Sequence, residues 1–113
     1  MSKREPKLLI GDILDAAVKI NNYTEHLSFD DFLKDSKTVD AVIRNFEIIG
    51  EAAKRLPNDF KKSYPSTNWT RIIGFRNRIV HDYMGIDYKI VWRIIKNNID
   101  TLINDLTMIM NKL

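Results

Sequence analysis

The sequence predicts an all-α fold: an up-and-down four-helix bundle with a short extra helix, forming a single domain over residues 1–113. Apolar residues recur in alternating steps of four and three, the period of a helix with one buried face, and no stretch shows the strict alternation of a half-buried strand. Four Gly and three Pro are few, and Pro6, Pro57, Pro65 and Gly85 fall at the edges of the periodic stretches. A chain of 113 residues matches the commonest domain size. It can bury about two-thirds of its unfolded surface, so it needs no disulfide or metal to fold.

The first helix begins near Pro6, a residue suited to a first turn, with Leu9, Ile13, Ala16, Ile20, Tyr23 and Leu27 as its stripe. Ser28 and Asp31 form a capping signal for a short piece holding Phe29, Phe32 and Leu33. A second long helix starts around Asp35 or Ser36, buries Val39, Val42, Ile43, Phe46, Ile49 and Ala53, and stops by Leu56 because Pro57 follows. Residues Pro57 to Asn68 read as a loop with at most one helical turn. A third helix is expected from about Trp69 to Tyr83, ended by Gly85. Asp87 then caps the last helix, whose stripe runs through Tyr88, Trp92, Ile95, Ile99, Leu102, Leu106, Ile109 and Leu113. Ile94, Ile103 and Met110 widen that stripe, which suits packing on two neighbours. Short connections predict that neighbouring helices pack antiparallel.

Composition narrows the chemistry. With no cysteine there is no disulfide framework, thiolate nucleophile or Cys-ligated zinc. His26 and His81, with scattered carboxylates, give no metal-ligand spacing such as His-Glu-x-x-His, so neither a metal nor a cofactor is expected. After the basic N-terminus only Leu8 to Ile10 precede Gly11 and Asp12, so no signal-peptide core is expected. No apolar run approaches the ~18 residues of a membrane span, and a cytoplasmic location is the expectation.

The segment Gly74-Phe75-Arg76-Asn77-Arg78-Ile79-Val80-His81-Asp82-Tyr83 carries an R-x(4)-H-x-Y pattern. It resembles the signature of HEPN domains, specifically the HepT-like toxin branch, with Arg76, Asn77, His81 and Tyr83 at the motif positions. The likeness extends to Arg44-Asn45-Phe46-Glu47-Ile48-Ile49-Gly50-Glu51-Ala52-Ala53, to Trp69 with Ile72, and to Ile86-Asp87 leading to Val91-Trp92. The resemblance implies a metal-independent endoribonuclease toxin acting as a homodimer, in a type VII-like toxin–antitoxin pair. It also implies a cognate MntA-like nucleotidyltransferase antitoxin that transfers AMP onto Tyr83.

Residue chemistry fits that implication. Metal-free RNA cleavage needs a base for the 2′-hydroxyl proton, an acid for the leaving 5′-oxygen and cations for the developing phosphorane charge. Imidazole suits either proton transfer near pH 7, and guanidinium suits the phosphate oxygens. Arg76 and His81 are therefore the catalytic candidates, with Asn77 able to orient substrate or imidazole. On a continuous helix Arg76 and His81, five apart, diverge by roughly 140°. One chain then presents them poorly to a single target unless the Arg wraps or the helix loosens near His81. Two copies across a twofold axis offer another solution. Glu51 is a candidate to brace Arg76 across the bundle. Glu47 reads as a local partner of Arg44, His26 as surface, and Trp69 and Trp92 as core or interface anchors.

Three functions compete: the nuclease, with tRNA or mRNA as substrate; a non-catalytic RNA- or nucleotide-binding partner of a nucleotidyltransferase; and an interaction protein in which Tyr83 is only a substrate. The intact Arg-Asn-His set favours the first, since binding alone requires no imidazole. Charge points the same way. The net +3 divides into +6 over residues 54–78, with seven basic residues against Asp59, and −3 elsewhere. Lys61, Lys62, Arg71 and Arg78 in that window are the RNA-binding candidates, because a phosphate backbone is held chiefly by such cations.

Overall fold

The computed structural model describes residues 5–81 and 85–113, with the backbone alone at residue 81. Helix α1 (Pro6–Thr24) starts on Pro6, whose missing N–H costs nothing in a first turn. It buries Leu9, Ile10, Ile13, Ala16, Ala17 and Ile20. The stripe departs from expectation at its end, where Tyr23 is exposed and Thr24 is buried instead. Thr24 tolerates burial because its hydroxyl donates to the Ile20 carbonyl at 2.8 Å. Ser28 caps α2 (Phe29–Lys34) as expected, its hydroxyl accepting from the Asp31 N–H. Only Phe32 of that helix is fully buried, and Leu33 is exposed.

Asp35 caps α3 (Ser36–Arg55): its carboxylate accepts from the Thr38 N–H at 3.1 Å and the Thr38 hydroxyl at 2.7 Å. The Thr38 hydroxyl, then its N–H, holds the Asp35 carboxyl below its ordinary range. Leu56, extended before Pro57, ends the helix. The single turn expected in the following loop is α4 (Asn58–Ser63), a second short helix.

The expected third helix is the main correction. It divides at Gly74 into α5 (Trp69–Ile73) and α6 (Phe75–Ile79), and stops four residues before Tyr83. A Cβ on residue 74 would meet the Thr70 carbonyl oxygen at 3.1 Å, so glycine allows the two turns to close on each other there. Beyond the β-branched Ile79, Val80 is already extended (φ −99°, ψ 120°). Val80–His81 forms β1, antiparallel to β2 (Gly85–Ile86), with Val80 opposite Ile86 and His81 opposite Gly85. The sequence offers no strand signal because each strand is only two residues, too short for an alternating pattern.

The Asp87 N–H donates to the Ile79 carbonyl at 2.7 Å, and the Asp87 carboxylate accepts from the Ile90 N–H at 3.2 Å. One residue thereby joins the end of α6 to the start of α7 (Tyr88–Lys112). Helix α7 buries Val91, Ile94, Ile95, Ile99, Leu102, Leu106 and Ile109, while Tyr88 and Leu113 at its ends are exposed.

Helix α1 lies between α3 and α7 and packs along both. The α1 backbone at Gly11 lies beside the Met110 side chain near the far end of α7, so these two helices run antiparallel. The broken α5–α6 pair fills the fourth position, against α3 and α7. Trp92 fastens α2 to the start of α7, with ring centroids 5.9 Å from Phe29 and 5.2 Å from Phe32. Among the described residues no helix is long and apolar enough to cross a membrane.

Candidate active site

Helix α6 is a five-residue segment with apolar ends. Phe75 and Ile79, four apart, are both about 1% exposed and pin one face to the core. Phe75 meets Phe46 of α3 edge-on, with ring centroids 5.7 Å apart at 83°. The three polar residues between, Arg76, Asn77 and Arg78, are all exposed. Upstream, the Trp69 indole N–H donates to the carbonyls of Lys61 and Tyr64, each at 3.2 Å, which ties α4 to α5. Asn68 caps α5 by accepting from the Arg71 N–H at 3.0 Å.

His81 is not on the helix. Extended backbone advances about 3.3 Å per residue against about 1.5 Å in a helix, so β1 carries residue 81 roughly 7 Å past Ile79 instead of about 3 Å. The expected 140° divergence between Arg76 and His81 therefore does not apply. Tyr83, the candidate for AMP transfer, lies outside the described residues.

The structure also separates the outer candidates. Arg71 and Arg78 both line a cleft of about 500 Å³ between α5–α6 and α7, on its α5–α6 wall. Lys61 and Lys62 line a neighbouring hollow of about 320 Å³ with Trp69 and Thr70, and the Lys61 ammonium donates to the Ala53 carbonyl at 3.4 Å. Glu51 does not brace Arg76. It is exposed, and the ion pairs among the described residues are Lys19–Asp15, His26–Glu25 and Arg44–Glu47. The Arg44–Glu47 pair, 3.8 Å apart, is the local contact expected for Glu47. His26 is a surface residue, with its side chain 89% exposed.

Sequence reasoning missed the α7 wall of the cleft, formed by Arg93, Asn97 and Asn98. A signal was present: Arg93 and Asn97 are four apart and off the apolar stripe. Among the described residues no three His, Asp or Glu side chains cluster at metal-binding distance.

The description "Ribonuclease HepT-like" fits residues 13–109, which spans every element from mid-α1 to late α7. The chain belongs to the HepT-like ribonuclease family. It is 42% identical over 100 residues to a Thermococcus cleftensis protein named probable ribonuclease HepT, covering 88% of this chain and 91% of the relative. A Methanocaldococcus jannaschii protein named as a candidate RNase is 41% identical over 106 residues, covering 94% and 88% of the two chains. Another protein so named, from Caldanaerobacter subterraneus, is 33% identical over 109 residues, covering 96% and 97%. No solved structure matches the chain.

In this HepT-like chain the β1–β2 pairing turns on Gly85, the one described residue with positive φ (75°). A Cβ added there would touch nothing within 4 Å, so its cost is conformational only. Gly85→Ala is expected to destabilise the protein by about 1 kcal/mol, measured by thermal or urea unfolding. Gly85→Asn should cost less, since Asn tolerates this backbone region better.

Proposed function

We propose that this protein is a metal-independent endoribonuclease, the toxin of a type VII-like toxin–antitoxin pair, cleaving tRNA or mRNA in the cytoplasm. The observation that carries the reading is membership of the HepT-like ribonuclease family with an intact Arg76–Asn77–His81 set, two members of which are solvent-exposed on α6. The 2′-oxygen of the RNA attacks the adjacent phosphorus and the bond to the 5′-oxygen breaks. The 2′-hydroxyl gives its proton to a base, and the leaving 5′-oxygen takes one from an acid. His81 performs one of these transfers, and Arg76 holds the phosphorane oxygens as charge develops on them. Asn77 orients the substrate or the imidazole. The products are a 2′,3′-cyclic phosphate and a 5′-hydroxyl.

The active unit is a homodimer with a composite cleft, and a MntA-like nucleotidyltransferase antitoxin neutralises it by AMP transfer to Tyr83. Likeness to the HepT toxin branch supports both statements. The divergence on a continuous helix no longer supports the dimer, because the chain leaves the helix before His81.

Incubation of purified protein with tRNA and with mRNA in EDTA tests the activity. Cleavage should persist undiminished in the chelator. The exposed basic cleft also suits a non-catalytic RNA-binding partner of a nucleotidyltransferase. That second reading predicts RNA binding with no cleavage of either substrate.

A further inference from the structure

The cleft between α5–α6 and α7 has an unusual wall. Its lining includes three guanidinium groups, Arg71, Arg78 and Arg93, and three amides, Asn68, Asn97 and Asn98, with no acidic side chain. None of the three arginines belongs to an ion pair among the described residues. All three are exposed. Cations gathered around a concavity without counter-charge repel one another, and a bound anion relieves that repulsion. Guanidinium suits phosphate oxygens in particular, because its forked donors match them in pairs.

The cleft is set apart from the candidate catalytic group. Arg76 and Arg78 are two residues apart on α6, about 200° around the helix, and Arg76 does not line the cleft. The cleft shares Thr70 with the hollow lined by Lys61 and Lys62, which also lacks acidic side chains. Cations therefore run from α4 through α5 and α6 to α7. A track of this extent fits a chain of phosphates better than a single anion. The forked guanidinium donors favour the phosphates of a nucleic-acid strand over the carboxylates of an acidic peptide, each spaced along a longer side chain. The amides can donate to and accept from base edges and ribose hydroxyls. No aromatic side chain lines this cleft among the described residues. Lys96 lies over the Trp92 ring at 4.5 Å, and Phe29 and Phe32 pack beside it.

We propose that this cleft is a subsite for the RNA strand apart from the Arg76–Asn77–His81 group, with Arg93 of α7 among its phosphate contacts. The proposal rests on the nuclease reading for its substrate, yet binding tests it without cleavage. The probe is a fluorescent single-stranded RNA oligonucleotide, titrated by anisotropy over a range of salt against full-length protein carrying His81→Ala to prevent turnover. Adding Arg93→Ala should weaken binding about tenfold, the usual loss for a hydrogen bond to a charged group. It should also flatten the log–log salt dependence by about 0.7, one phosphate contact on a single strand. Arg93→Lys should keep the salt slope, because its charge remains. Arg44→Ala, an exposed arginine on α3 outside the cleft, should change neither quantity. Thermal unfolding checks that each variant is folded.

Equal RNA affinity with and without Arg93→Ala overturns the subsite, as does absence of RNA binding. Competition by polyglutamate as effective as RNA of equal length overturns the choice of RNA over an acidic peptide. If wild-type protein cleaves RNA while binding ignores Arg93, the subsite alone is rejected. If binding depends on Arg93 and wild-type protein never cleaves, the subsite stands and the nuclease reading falls.

Discussion

Replacing His81 by alanine is expected to slow RNA cleavage by about 10²–10⁴-fold, the usual contribution of one positioned proton-transfer group. The loss should appear in turnover, with RNA affinity largely retained, because the candidate phosphate-binding cations lie elsewhere on α4, α5, α6 and α7. Stability should change little. The pairing of residue 81 with Gly85 is made by backbone groups and needs no imidazole. Single-turnover cleavage beside anisotropy and thermal unfolding separates these quantities. Equal losses in cleavage and binding would instead assign His81 to RNA affinity.

The second large effect falls on stability. Phe46 is about 1% exposed on α3 and meets Phe75 edge-on, immediately before Arg76. Truncating such a ring to alanine removes its burial and leaves a cavity, costing about 3–5 kcal/mol. In a domain of this size that lowers Tm by roughly 10–20 °C. Cleavage should also fall at temperatures where the variant is still folded, because Phe75 helps fix the short helix that presents Arg76 and Asn77. Phe46→Leu, which keeps most of the volume, should show a smaller loss of both. Calorimetry and cleavage rates on the same preparations check the coupling. A large stability loss with full activity at low temperature would mean that α6 is fixed by other contacts.

The long helices were legible because each has one apolar face repeated over several turns, and their starts carry local chemistry. Ser28 and Asp87 each cap the helix expected of them, and Asp35 caps the helix expected to start around Asp35 or Ser36. The motif region was less legible. From Trp69 to Tyr83 the apolar spacing fits one helix, and the two features that break it act through space. Gly74 sits close under the Thr70 carbonyl, where a Cβ would crowd, and Ile79 ends α6 while its carbonyl accepts from Asp87. Neither contact has a periodic signature. The residues of the candidate site could be named in advance, while the path of the backbone through them could not. Arg93 was hidden for a related reason: an arginine on the polar face of α7 looks like any solvated charge until α5 and α6 are packed across from it.

Metal-free transesterification at the Arg76–Asn77–His81 group is read most directly from the ends of the cleaved RNA. Purified protein in EDTA should leave a 2′,3′-cyclic phosphate on one fragment and a 5′-hydroxyl on the other, and His81→Ala should slow the appearance of both about 10²–10⁴-fold. A 3′-hydroxyl with a 5′-phosphate, or cleavage that stops in chelator and returns with a divalent cation, would contradict it.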